Sequence, residues 1–454
     1  MSGEPDAGGS AELWSRTVER GPDGELRVGG CDVNALAAEY GTPLYVVDEQ
    51  DMRGRAAAFR DEFAAAFAEH GATCTVYYAG KAFLCSQVAR WMRDDGLAID
   101  VSSGGELALA LRGGMPPARI AMHGNNKSDE EIHRALAVGV GRIVVDSLAE
   151  IGVVARIAAG LGVVAPVAVR VTTGVHAGGH AYIATAHEDQ KFGLSLASGA
   201  ALEAMRRCHD APSIDLTGIH THIGSQILSL EAFEQSAERM LGLRAAFARE
   251  SGVDVPEVGL GGGYAIAHAE GDEALSAADA ARGIAAAVAE AIGAVGGTWP
   301  SFTIEPGRAI AGPAGMTLYT VGVTKTVRLD DGGERRYIAI DGGMSDNMRP
   351  VAYGAEYTTT LASRTSDVPA VRSRVVGKHC ESGDIIVQSI NLPADVDAGD
   401  LLAVPATGAY GRVMSNNYNA LLRPAVVAVK DGEAHELVRR DTIEDLLAWD
   451  VAPG

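Results

Sequence analysis

Thr75-Val76-Tyr77-Tyr78-Ala79-Gly80-Lys81 is a short apolar, β-prone run that stops at a glycine and hands over one lysine. Helical spacing follows at once, with Leu84, Val88 and Trp91 at i, i+4 and i+7. This is one βα unit, and it recurs. Strand-like runs stand at 75–79, 97–101, 119–123, 142–146, 167–172, 216–222, 257–260 and 302–305, eight in all. Alanine-rich helical patterns lie between them, as at 128–138, 148–159, 200–208, 230–250 and 277–292. Eight alternations over roughly 240 residues predict a (β/α)8 barrel of the TIM type. A doubly wound open sheet is the competing arrangement, but the turn after the first strand lacks the glycine fingerprint that fold favours.

Outward from the barrel the rhythm changes. Upstream lie short strand-like pieces, a helix over 32–40, the run Pro43-Leu44-Tyr45-Val46-Val47 and a helix over 51–70. After about Gly315, runs at 316–327, 337–340, 374–376, 385–387, 401–404 and 425–429 are parted by turn signals such as Asp331-Gly332-Gly333 and Asp341-Gly342-Gly343. The expectation is an N-terminal segment at 1–44 whose strands pack with a β domain, a barrel at 45–313, and a mostly-β C-terminal domain at 314–454. The first ten residues are small and acidic, which predicts a disordered lead-in and no signal peptide.

The 454 residues carry 38 basic against 59 acidic side chains, a net −21 that argues against nucleic-acid and anionic-membrane partners. Five widely spaced cysteines without a CxxC pair suit a reducing cytoplasm. No apolar run approaches the roughly 20 residues of a membrane helix.

Loops after the strands of such a barrel converge on one face, which carries the chemistry. Here those ends read Lys81, Ser102-Ser103-Gly104-Gly105-Glu106, His123-Gly124-Asn125-Asn126, Asp146-Ser147, Arg170, His220-Thr221-His222, Gly261-Gly262-Gly263 and Glu305-Pro306-Gly307-Arg308. Lys81 alone is either a snorkelling surface residue or a working amine. Glycines after the last two strands let backbone N–H groups approach a phosphate. A phosphate site and a lysine on one face point to pyridoxal phosphate held as a Schiff base. Its protonated ring nitrogen needs a carboxylate such as Glu305, and its ring a flat partner such as His222, which could equally be a hydrogen-bonded core histidine. His220 and His222, at i and i+2 on a strand, would face one way and could instead bind a metal. That metal-dependent hydrolase reading finds no obvious third ligand and leaves Lys81 without a role.

Taken together, Tyr78-Ala79-Gly80-Lys81-Ala82, His222-Ile223-Gly224-Ser225-Gln226, Gly261-Gly262-Gly263, Glu305-Pro306-Gly307-Arg308, Asp341-Gly342-Gly343-Met344, Tyr353-Gly354-Ala355, Cys380-Glu381-Ser382-Gly383-Asp384 and Gly408-Ala409-Tyr410-Gly411 resemble, nearly end to end, the PLP-dependent group IV decarboxylases of the alanine-racemase-like fold. The resemblance implies that Lys81 carries the cofactor, His222 stacks on its ring and Glu305 meets the ring nitrogen. It places Ser225, Gly262, Gly263, Gly307 and Arg308 near the phosphate, with Tyr410 closing over the cofactor. Arg308, Arg349, Tyr353, Glu381 and Tyr410 would contact an amino-acid substrate, and two arginines suit one with more than one carboxylate.

Cys380 would reach the cofactor from the partner subunit as proton donor, in a homodimer with shared active sites; its bland alternative is a buried apolar cysteine. Within the family, the implied reaction converts meso-2,6-diaminopimelate to L-lysine and CO2. A sister decarboxylase acting on ornithine, arginine or carboxynorspermidine is the nearest alternative, and a non-catalytic binding relative the next. One departure from the family pattern is Ala265, where glycine is usual and a methyl would crowd a positive φ.

Overall fold

The computed structural model describes residues 13–175 and 191–451, so the first ten residues lie outside the description. The chain divides into two compact units. One comprises Arg53–Ala265 and Ala274–Ala309; the other takes in the chain up to Met52, Ile266–Glu273 and the chain from Ile310 on.

In the first unit eight strands close into an all-parallel barrel: β1 Cys74–Ala79, β2 Ala98–Val101, β3 Ile120–Met122, β4 Arg142–Val145, β5 Ala165–Thr172, β6 Ile214–His220, β7 Glu257–Gly259 and β8 Ser301–Ile304. Each pairs with its successor, and β8 returns to β1 through Phe302↔Cys74 and Ile304↔Val76. In β2 and β3 inward and outward residues are buried alike, as expected of parallel strands covered by helices. Helices begin where serines accept the orphan N–H groups of the first turn: Ser128 makes a full capping box with Glu131, and Ser147, Ser229 and Ser276 cap alone. Helix Ala277–Val295 buries Ile284, Val288 and Ile292 at i, i+4 and i+8, each such side chain contributing about 1.5–3 kcal/mol. Its Gly283 admits Leu230, whose Cδ1 would stand 2.4 Å from any added Cβ.

Two local readings change. β6 ends at His220 and β8 at Ile304, so His222 and Glu305 lie in loops beyond the strands. The helix after β2, Gly104–Arg112, opens on two glycines, and Ser103 offsets them by accepting the Glu106 N–H.

The other unit is built on a mixed sheet in which Leu44–Asp48 lies between Gly315–Arg328, antiparallel, and Ala425–Lys430, parallel. Within it Asp346 is buried, accepting from Tyr319 Oη at 2.5 Å and from the Gly343 N–H at 2.9 Å. Burial pushes its carboxyl up to about 7, against the pull of those donors. The folded state therefore holds this proton more tightly than the unfolded chain does. The resulting stability is complete below the unfolded pKa and is lost as pH rises through about 7. Between pH 5 and 8 this one group should remove roughly 2–3 kcal/mol. Thermal midpoints across that range should fall, and fall less in Asp346→Asn; an equally steep decline in that variant would refute the assignment.

Candidate active site

Past β1 the chain is tied to both neighbouring strands. The Ala79 N–H donates to Pro306 O at 3.1 Å, the Gly80 N–H to Asp100 O at 3.1 Å and Tyr78 Oη to Phe83 O at 2.7 Å. This fixed corner turns Lys81 outward, and it is exposed at the strand's C-terminal end. Lys81 acts electrostatically on the ionisable groups around it. Burial, with Glu305 nearby, raises the Asp100 carboxyl well above its usual range while Lys81 opposes the shift. Burial, reinforced by Lys81 and Arg170, holds the His222 imidazole well below its usual range. His222 is thus a neutral ring, its Nδ1 accepting from the Gly262 N–H at 3.3 Å.

Glu305 is the convergence point. His220 Nε2 lies 3.0 Å from its Oε2 and His123 Nε2 lies 3.3 Å from its Oε1. The two imidazoles meet edge to face, centroids 4.9 Å apart. Burial alone would raise the carboxyl, but His220 and His123 outweigh it and hold it well below the ordinary range. Burial also pushes the His123 imidazole down to about 4. The arrangement is therefore an anionic carboxylate beside a neutral His123.

The glycine loops are locked at backbone distance. An added Cβ at Gly262 would stand 2.0 Å from Glu305 O, and one at Gly307 2.8 Å from the Ala79 Cβ. Gly263 has φ +107°, its Cβ position lies 2.3 Å from Gly224 O, and its own carbonyl accepts the Ile227 N–H at 2.9 Å. Beside them Arg308 Nη2 donates to Ser225 Oγ at 3.0 Å. Ala265 is not among the residues with positive φ, so its methyl brings no strain.

These features fit pyridoxal phosphate: an accessible amine, an ionised carboxylate for the ring nitrogen, a neutral ring in His222, and glycine turns with a serine and an arginine for the phosphate.

The expectation that His220 and His222 share a strand face fails, because β6 stops at His220, whose Nε2 lies 3.0 Å from Glu305 Oε2. A trio that could hold a metal does exist, His123, His220 and Glu305, with ligating atoms within 4.8 Å. It does not include His222. Reading the sequence gave no role to His123 or Asp100. The signal available for Asp100 was an acid inside the apolar run Ala98-Ile99-Asp100-Val101.

The remaining expected residues belong to the other unit. Arg349 is buried, donates from Nε to Tyr357 Oη at 3.0 Å, and has its guanidinium 5.7 Å from the ring centroids of both Tyr353 and Tyr410. Tyr410 sits at φ +57°. Cys380 and Glu381 are both exposed, on a loop anchored by buried His379, whose Nδ1 lies 2.7 Å from Asp384 Oδ2. Cys380 is therefore not the buried apolar cysteine of the bland alternative. Burial raises the thiols of Cys31, Cys74, Cys85 and Cys208.

Residues 51–312 match the family model of the pyridoxal-dependent decarboxylase pyridoxal-binding domain. The chain is 49% identical to the diaminopimelate decarboxylase of Mycobacterium tuberculosis over 97% of its own length and 98% of the relative's. It is 43% identical to that of Bacillus subtilis, over 96% and 97%. The M. jannaschii diaminopimelate decarboxylase, solved in complex with L-lysine, superposes with a TM-score of 0.89 at 30% identity, covering 97% of this chain and 99% of that one.

Proposed function

We infer the reaction from one premise: the chain belongs to the pyridoxal-dependent decarboxylase family. It is a diaminopimelate decarboxylase in activity, converting meso-2,6-diaminopimelate to L-lysine and CO2 with pyridoxal phosphate as cofactor. The observation that carries this is the extent of the match, which spans 97% of the chain and so includes the unit bearing Arg349 as well as the barrel.

Bound pyridoxal phosphate supplies the electron sink for the bond to the departing carboxylate. Lys81 would hold it covalently and yield to the substrate amine. Glu305 would present negative charge to the ring nitrogen, with His222 against the ring face. Ser225, Gly262, Gly263, Gly307 and Arg308 would hold the phosphate. Arg308, Arg349, Tyr353, Glu381 and Tyr410 would grip the substrate's two ends. Arg349 is supported in this by its buried setting between two tyrosine rings, where a guanidinium is pre-organised for a carboxylate. Purified protein supplied with the cofactor should release CO2 and lysine from meso-diaminopimelate and little CO2 from ornithine or arginine. The reverse preference would transfer the assignment to a sister decarboxylase.

The working unit in this proposal is a homodimer in which Cys380 of the partner subunit protonates the substrate carbon. The exposure of Cys380 and Glu381 supports it. Mixing the inactive variants Lys81→Ala and Cys380→Ala should restore about one quarter of wild-type activity, since half the dimers then carry one intact site. No recovery after subunit exchange would exclude sharing. No described helix is long and apolar enough to cross a membrane. With five free cysteines, the cytoplasm is the proposed compartment; finding the enzyme outside it on cell fractionation would count against this.

A further inference from the structure

We propose that His220, which hydrogen-bonds Glu305, and His123, which packs against the same carboxylate, are positioning residues that keep the cofactor's ring nitrogen protonated. The inference rests on reading Glu305 as that nitrogen's partner.

The three side chains come from well-separated strands: His123 follows β3, His220 ends β6 and Glu305 follows β8. Each histidine addresses a different carboxylate oxygen, at 3.3 and 3.0 Å. All three are nearly removed from solvent, with side-chain exposures of 9%, 5% and 10%. An isolated carboxylate so buried would take up a proton and lose its charge. The His220 donor and the His123 ring 3.3 Å from the other oxygen oppose that tendency and orient the carboxylate plane while leaving oxygen lone pairs for a further partner.

The charge state of the rings matters as much as their position. A protonated imidazole would form an ion pair and consume the carboxylate's field. A neutral imidazole bonded through Nε2–H leaves one net negative charge. Burial keeps His123 neutral, and His220 Nδ1 is buried without a hydrogen-bond partner, which suits a ring whose single proton is on Nε2. The geometry thus supplies a fixed anion for a ring N–H, and turning either ring away would weaken it.

Wild-type holoenzyme reconstituted with cofactor labelled with 15N in the ring should show the nitrogen shift of a protonated pyridine. In His220→Leu and His123→Leu the shift should move toward the unprotonated value. Cofactor dissociation constants should rise roughly tenfold to a hundredfold, the scale on which outer partners of a functional group act. His220→Gln, which retains an N–H donor, should return the shift toward wild type. Should the leucine variants fail to fold, histidine-labelled wild type answers the same question, since the His220 ring must carry its proton on Nε2.

A leucine variant that folds, binds the cofactor and keeps the wild-type ring shift would overturn the proposal, as would an Nδ1-protonated tautomer of the His220 ring. A wild-type protein that takes up no cofactor would refute the functional reading instead.

Discussion

Lys81→Ala should lower kcat by roughly 10³-fold or more and leave the cofactor-treated protein without the visible absorbance of a lysine-bound pyridoxal. Three backbone links hold the corner that presents this amine: Ala79 to Pro306, Gly80 to Asp100 and Ala82 to Ala79. Lys127, the next lysine along, is buried with its Nζ spent on Gly124 O, Val144 O and Glu150. Lys81→Arg keeps the charge but cannot form the covalent link, so it should fail equally. If either variant retained the absorbance, or turned over at even a tenth of the wild-type rate, the assignment of Lys81 would be lost.

Glu305→Gln is expected to cost about 10²–10³-fold in kcat with a much smaller change in KM, as when one preorganised electrostatic contact is removed. The amide matches the carboxylate in size, so packing against His123 and His220 survives. Its charge does not survive, and one of its termini is a donor facing a donor. Glu305→Asp keeps the charge but withdraws it by one methylene, and should fall between the two. Steady-state kinetics on cofactor-saturated protein decides the matter. A Gln variant within about threefold of wild type in kcat would mean that the ring nitrogen has no need of this anion.

The barrel was legible because each strand pairs with the next in sequence, and period and punctuation report such local units. Lys81 was legible for the same reason, standing at the first strand's end. Failures came where long-range contacts decide. Whether β6 continues from His220 to His222 depends on where Glu257–Gly259 stops pairing beside it, which no local pattern encodes. His123 acquires meaning only from Glu305, on a distant strand. Asp100 was correctly read as part of a strand, but its charge state depends on burial and on Glu305 and Lys81, from other strand ends. The glycines were read as phosphate ligands, and the structure adds a second reason for them: three loops cross there with no room for a Cβ. Arg349 between Tyr353 and Tyr410 came from family resemblance; nothing in the spacing of 349, 353 and 410 brings them together.

Leu44–Asp48, all five residues of which are buried, has partners at Gly315–Arg328 and Ala425–Lys430. A growing chain leaves the ribosome with this strand near its front and with both partners still to be made. The barrel strands can be added one upon another during synthesis. This strand waits with both edges open until Gly315–Arg328 has emerged, and with one edge open until Ala425–Lys430 has followed. Translation halted between Arg328 and Ala425 would release a chain with one edge of a hydrophobic strand bare, ready to pair with another molecule's.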